Sequence, residues 1–426
     1  MASPPDRRVR NEEIRAALHE RLLADVEKHA LAGQDRAMVR GYLEETLAGY
    51  LRDYPQLGQA ETEQVVRELC DDIVGFGPLE PLLRDPHVTD IMVNRYDLVY
   101  VQRHGVKTES PVRFRNEAHL RYIIMRIADL AGRRIDASSP MVDARMPQGF
   151  RAHAALPPVA VGGPCLAIRL FPTSPVTLDM LAGGGTLSAP MAAYLITAVR
   201  HRANLLFTGG TGAGKTSLMN ACAASISAGE RVLTIEEAAE LRLPVANWIR
   251  WETRPANVEG KGEITQTHLL RNALRQNPDR IIVGEVRGGE ALDMLQAMST
   301  GHSGSMSTLH ASSPVQALDR LEVLARWNSG LPGDIVRRLI AAAIEIVVHL
   351  ERLPDGRRVV AEIAEVAGMD GDGVQTQALF RFERLRGVCA WTGIPSRLFE
   401  RLRRAGIPVP GLAGPVQAGR GADLPS

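Results

Sequence analysis

F-T-G-G-T-G-A-G-K-T-S-L, residues 207–218, decides the fold. Gly209, Gly214, Lys215 and Thr216 satisfy the spacing G-x-x-x-x-G-K-[ST], with an apolar run at 204–208 before it and a helix-forming stretch from Lys215 after it. Glycines let backbone N–H groups turn inward around phosphates, and a helix N-terminus adds partial positive charge. The stretch Gly209, Gly210, Thr211, Gly212, Ala213, Gly214, Lys215, Thr216 and Ser217 is therefore expected to hold ATP, with Lys215 bridging the β and γ phosphates and the Thr216 hydroxyl ligating Mg²⁺.

Working outward, apolar runs at 204–208, 231–235, 280–283, 305–309 and 344–349 alternate with helical patterns starting near Lys215, His268 and Glu290. Such alternation predicts an α/β domain with a parallel central sheet and helices on both faces. Upstream, short strand patterns at 90–94, 98–102 and 165–171 flank a helical pattern at 116–131 with Leu120, Ile123, Ile124, Ile127 and Leu130 on one side, which describes a smaller α+β domain. Residues 11–54 read as two amphipathic helices, the first on Ile14, Leu18, Leu22 and Val26, the second on Met38, Val39, Tyr42, Leu43, Leu47 and Leu51. The expected organisation is a helical segment at 1–69, the α+β domain at 70–173, a linker at 174–187 and the P-loop domain at 188–365. A C-terminal extension at 366–426 follows, rich in Gly, Pro and Arg, its last twenty or so residues expected to be mobile.

The 426-residue chain has room for two or three domains. Hydrophobic residues make up 45% and aromatic ones only 4%, so cores of aliphatic side chains are expected. A net charge of +1 gives no global field that would draw the protein onto nucleic acid, and few aromatics give no stacking platform, so nucleic acid is not an expected partner. Lysine stands only at Lys28, Lys107, Lys215 and Lys261, the remaining positive charge being arginine. Cys70, Cys165, Cys222 and Cys389 form no C-x-x-C pair, which indicates reduced thiols and no zinc module. No apolar run is long enough to span a bilayer, so any membrane role is expected to be peripheral.

A P-loop needs carboxylates to order the metal shell and the attacking water. R-I-I-V-G-E-V-R-G-G at 280–289 puts Glu285 at the end of a buried strand pattern, where metal contact would run through water and the carboxylate could serve as general base. T-I-E-E-A-A-E-L-R-L puts Glu236 and Glu237 at the end of another, with Glu240 reading as a solvated helix charge. The base is Glu236 or Glu285. His302 and His310, in G-H-S-G-S-M-S-T-L-H-A-S-S-P, lie too far apart along a strand to share one metal ion, and no nucleophile elbow accompanies them. What remains is a strand edge beside the P-loop, sensing the γ-phosphate or a neighbouring subunit.

These strings, together with E-T-R-P-A-N-V-E-G-K-G-E-I-T, resemble the type II/IV secretion ATPase superfamily, and within it the CpaF/TadA-like ATPases of tight-adherence (Tad, Flp) pili. The resemblance covers roughly residues 70–365. It implies a RecA-like motor domain, assembly into a homo-hexamer, and ATP turnover that drives an inner-membrane platform protein from the cytoplasmic face. It also implies that arginines of the preceding domain reach the γ-phosphate, the matching positions being Arg151 and Arg169. Glu237 stands where the family usually has aspartate, and Ser312 where asparagine is common. A type IV secretion ATPase, or a nucleotide-binding regulatory scaffold with little turnover, are the other readings.

Overall fold

The computed structural model describes residues 35–50, 58–103, 105–170, 176–254, 256, 260–327 and 329–412. The first expected amphipathic helix, residues 171–175 beside the expected linker and the end of the C-terminal extension lie outside them. The chain divides into two compact units, one ending at Thr173 and the other beginning at Ser174. No helix among the described residues is long and apolar enough to cross a membrane.

In the first unit the helices Arg36–Tyr50 and Gln59–Val74 pack Val39, Leu43 and Leu47 against Val65, Leu69 and Ile73. The second helix runs unbroken through position 70, where the sequence suggests a boundary, because Val65, Leu69 and Ile73 keep a four-residue apolar spacing across it. Six strands follow: β1 Val88–Arg95, β2 Leu98–Arg103, β3 Val106–Glu109, β4 Met141–Arg145, β5 Arg151–Ala155 and β6 Cys165–Arg169. They form one antiparallel sheet in the order β3-β2-β1-β6-β5-β4. One face buries Ile91, Val93, Ala152, Ala154, Leu166 and Ile168 with Leu120, Ile123, Ile124 and Ile127 of the helix Glu117–Leu130. That helix starts where the Asn116 side chain accepts from the His119 N–H at 2.9 Å. Because side chains alternate along a strand, Asp90, Arg169, Arg151 and Arg145 form one row across the opposite face.

The second unit is built on nine strands: β7 Leu205–Gly209, β8 Val232–Glu236, β9 Trp248–Glu252, β10 Arg280–Val283, β11 Met306–Leu309, β12 Ile346–Arg352, β13 Arg358–Asp370, β14 Gly373–Glu383 and β15 Val388–Trp391. Their order is β15-β14-β13-β12-β7-β11-β10-β8-β9. From β12 to β9 the pairs are parallel, as the alternation of strands and helices predicts. Strands β7, β8, β10 and β11 are buried along their whole length, covered on both faces, which is why they read as unbroken apolar runs.

The expected boundary after 365 does not hold in the structure. β13 continues to Asp370, and β14 and β15 extend the sheet as antiparallel strands. Asp370 pairs with Gly373 across a tight turn in which Gly371 has φ 56°, so D-G-D-G here is a hairpin rather than a loop. The helix Arg397–Arg404 is fastened by one buried carboxylate. Glu365 Oε1 accepts from Tyr194 Oη at 2.7 Å, Ser396 Oγ at 2.6 Å and the Leu398 N–H at 3.2 Å, while Oε2 accepts from the Arg397 N–H at 2.7 Å and Gln377 Nε2 at 3.0 Å. Five donors offset the cost of burying that charge.

Candidate functional site

The parallel strands bring the predicted site together at their carboxyl ends. Gly209 ends β7, His310 follows β11, Glu285 follows β10 and Glu236 ends β8, with β11 lying between the P-loop strand and the strand that leads to Glu285. This is the side on which open α/β sheets bind ligands.

The loop from β7 to the helix Lys215–Ala223 needs its glycines. Gly209, Gly212 and Gly214 have φ of 152°, 73° and 95°, and a Cβ on Gly209 would lie 2.4 Å from the Leu350 carbonyl oxygen. Lys215, the first residue of the helix, is buried, and its Nζ donates to the carbonyls of Gly209 at 3.1 Å and Gly210 at 3.0 Å. Ala213 N–H also donates to Gly210 O, at 3.3 Å. The loop thus satisfies these two donors from within, and phosphate oxygens can take over those contacts. Burial holds the Lys215 pKa below its ordinary value, with the Glu285 carboxylate opposing that shift.

A chain of contacts leads from Lys215 to the carboxylates. His310 Nδ1 lies 3.4 Å from Lys215 Nζ, and its Nε2 lies 2.9 Å from Glu285 Oε1. An ammonium only donates, so Nδ1 accepts and the ring proton sits on Nε2, beside a Glu285 Oε1 that accepts no hydrogen bond. Burial, and then Lys215, lower the His310 pKa, in keeping with this neutral ring. Glu285 Oε2 accepts from Arg287 Nε at 3.0 Å and Nη2 at 2.6 Å, and Arg287 Nη1 reaches Glu237 Oε2 at 2.8 Å. The bond to Glu285 raises the Arg287 pKa.

Glu236 and Glu237 point to different surroundings. Glu237 is solvent-facing and anchors Arg287. Glu236 is 2% exposed, and its Oε2 accepts from the N–H groups of Glu240 at 2.7 Å and Leu241 at 3.0 Å, while its Oε1 has no hydrogen-bond partner. It packs beside Gly284, where an added Cβ would lie 3.1 Å from Glu236 Cγ. Burial pushes its pKa up to about 7 against the opposing effect of those two N–H groups, with Glu240 raising it and Arg250 lowering it. Glu240 belongs to a loop folded around Glu236, not to a helix.

His302 is not part of this cluster. It precedes the amino end of β11, at the end of the sheet opposite His310, because a strand separates the two. Nearby, Arg280, fully buried, grips Glu230 through Nε at 2.7 Å and Nη2 at 2.8 Å and donates to Gly304 O at 3.3 Å. Arg151 and Arg169 lie in the first unit, paired in register, each on one carboxylate: Asp143 at 3.3 Å and Asp90 at 3.1 Å.

Sequence reading missed a second wall. A cavity of about 560 Å³ beside the loop is lined by Gly209, Gly210, His310, Arg320, His349 and Arg352, among others. His349 Nδ1 lies 3.0 Å from Thr208 Oγ1, and Arg358 Nε donates to Gly212 O at 3.0 Å. Only the parallel register of β12 with β7, which sets His349 beside Thr208 and Leu350 beside Gly209, brings these residues here. No local motif announces it.

These residues fit a nucleoside triphosphate, with a loop whose backbone only glycine tolerates and an amine held by exchangeable carbonyl contacts. Among the described residues no cluster of three or more His, Cys, Asp or Glu could by itself hold a metal ion. A Mg²⁺ would fit as it usually does beside phosphates, with one protein hydroxyl, from Thr216, and waters completing its shell.

The sequence profile described as "Type II/IV secretion system protein" matches residues 72–377. A Mycobacterium tuberculosis protein named for conjugal transfer is 40% identical over 338 residues, 78% of this chain and 95% of that protein. The conjugal transfer protein TrbB of Rhizobium radiobacter is 30% identical over 339 residues, 78% of this chain and 97% of that protein. Among solved structures, the pilus retraction motor PilT with bound ADP is similar in fold, with a TM-score of 0.50 and 19% identity over 77% of this chain and 85% of that one. The profile match and these relatives, joined to the P-loop and its carboxylates, place the chain in the type II/IV secretion system protein family, as a P-loop ATPase with a RecA-like motor domain.

Proposed function

We propose that the chain is a hexameric ATP-hydrolysing motor that drives assembly or retraction of a Tad/Flp-type pilus, acting on an inner-membrane platform protein from the cytoplasmic face. The observation that carries the motor reading is the contact chain Lys215–His310–Glu285–Arg287 at the carboxyl ends of β7, β11 and β10. It links the residue that binds phosphate to the carboxylate that orders water, so occupancy of the loop is felt at Glu285. Bound Mg²⁺ would supply neutralisation of phosphate charge, with Thr216 and, through water, Glu285 as its holders. Lys215 leaves the Gly209 and Gly210 carbonyls for phosphate oxygens, and His310 follows the amine. Arg151 and Arg169, each paired with one carboxylate in the first unit, are proposed to offer guanidinium groups to the phosphate charge, the role that the family resemblance implies.

We assign the proton acceptor to Glu236. A base is most effective with a pKa near the working pH, and this carboxyl, at about 7 with one unpartnered oxygen beside Gly284, meets that condition. The acceptor must be ionised, so kcat/KM is expected to rise with pH through a midpoint near 7, and Glu236→Gln is expected to remove that limb. Stability responds with the opposite sign. Folding raises this carboxyl above its ordinary 4.5, so the native state keeps a proton the unfolded chain releases. The cost is absent below pH 4.5, grows up to about 7 and is constant above it. Glu236→Gln, which can still accept from Glu240 and Leu241, should therefore change stability little at pH 5 and raise it at pH 8 by on the order of 2 kcal/mol. Thermal unfolding at the two pH values checks this.

A type IV secretion ATPase is the second reading, favoured by relatives named for conjugal transfer and for type IV secretion. Deleting the gene in its host and restoring wild-type protein tests both. Loss of surface pili, restored by the wild-type chain, is the result expected. Intact pili with lost transfer of DNA or secreted protein would move the assignment to the second reading, and loss of neither would leave the regulatory scaffold.

A further inference from the structure

The β12–β13 hairpin lies along the outer side of the P-loop. Leu350 is in register with Gly209 and its carbonyl closes on that glycine, while Arg358, opposite Arg352 in the hairpin, lays its stem beside Gly214, where an added Cβ would sit 3.4 Å from Arg358 Cδ. The turn between the strands is itself fixed: Leu353 N–H donates to Arg357 O at 2.7 Å, Gly356 N–H to Leu353 O at 2.9 Å, and Asp355 binds Arg357 at 2.7 Å. From this braced position Arg358 Nε donates to Gly212 O at 3.0 Å.

That bond orients the loop. In a trans peptide the C=O and the following N–H point in opposite directions across one rigid plane. Holding the Gly212 carbonyl outward therefore turns the Ala213 N–H inward, where it now meets Gly210 O at 3.3 Å. Gly212, at positive φ, stands on the carbonyl side of this peptide, and the freedom of a residue without a Cβ would otherwise let the plane rotate at small cost.

We propose that Arg358 is a positioning residue for nucleotide binding: by tying the Gly212 carbonyl it pre-sets the Ala213 N–H toward the phosphates. The proposal rests on the P-loop binding ATP as described above. Arg358 acts through hydrogen bonding to the loop, not through its charge on the phosphate. An uncharged donor should serve almost as well.

The test uses the full-length chain with a fluorescent N-methylanthraniloyl ATP as probe, alongside steady-state ATP hydrolysis. Arg358→Ala is expected to weaken binding and raise KM about 10-fold, the loss of one charge-assisted hydrogen bond, with kcat at saturating ATP within about 2-fold of wild type. Arg358→Gln, which keeps an N–H donor without the charge, is expected to recover most of that loss. Unchanged binding by Arg358→Ala, or Arg358→Gln as weak as Arg358→Ala, would overturn the proposal, the latter by showing a direct charge contact. If wild type and Lys215→Ala bind the probe equally, it is the P-loop reading that fails, a result separable from either outcome at Arg358.

Discussion

Lys215→Ala is expected to reduce ATP hydrolysis by at least about 10²–10³-fold, the loss that follows removal of one preorganised donor to a reacting oxyanion. Lys215 Nζ is the amine of the loop, buried, and it contacts two loop carbonyls that a phosphate can replace together with the His310 ring. Alanine leaves Gly210 O still bonded to the Ala213 N–H and leaves Leu218, Met219 and Cys222 of the helix in place, while the buried Lys215 stem and its bond to Gly209 O are lost. The defect should be visible as lost phosphate release from a chain that still unfolds cooperatively on heating. Lys215→Arg is expected to rescue little, because a planar fork on a longer stem cannot occupy the pocket of a compact ammonium.

Glu285→Gln should lower kcat about 10²-fold or more while ATP binding stays within a few-fold of wild type. Glutamine preserves an acceptor for Arg287 Nε and Nη2, so the loop after β10 stays in place. Its amide then takes the place of the Oε1 that lies 2.9 Å from His310 Nε2, and the negative charge leaves that contact. The charge contact that joins Lys215 through His310 to the carboxylate is thereby lost. A filter-binding assay with γ-labelled ATP would show this directly: bound, unhydrolysed nucleotide on Glu285→Gln, and turned-over nucleotide on wild type.

Much of the site was legible because the P-loop and the strand-end carboxylates are local patterns. Glycines at 209, 212 and 214 carry backbone angles other residues avoid, and buried strands that end in Glu236 or lead into Glu285 declare themselves by their apolar runs. His310 was legible for the same reason, being the first residue past β11. His302 was kept as a candidate because it opens the stretch that runs into the strand beside the P-loop, but the four residues of β11 set it at the opposite end of the sheet from His310. Arg358 was invisible. It reaches the loop from a hairpin whose register with β7 is fixed by long-range pairing, 146 residues from its partner Gly212. The strands after position 365 were lost to composition, since a stretch rich in Gly, Pro and Arg was set apart as an extension while D-G-D-G is a turn between alternating strands. Glu365 shows the same limit: nothing in E-I-A-E-V marks the fourth residue as the buried acceptor of five donors.

Phosphate release from ATP by the purified full-length chain, followed with Mg²⁺ and with excess EDTA, tests the central claim most directly. Steady multiple turnover that needs Mg²⁺ and disappears in Lys215→Ala and Glu285→Gln is the predicted result. ATP bound tightly by the wild-type chain, with no more phosphate released than by Lys215→Ala, would contradict it.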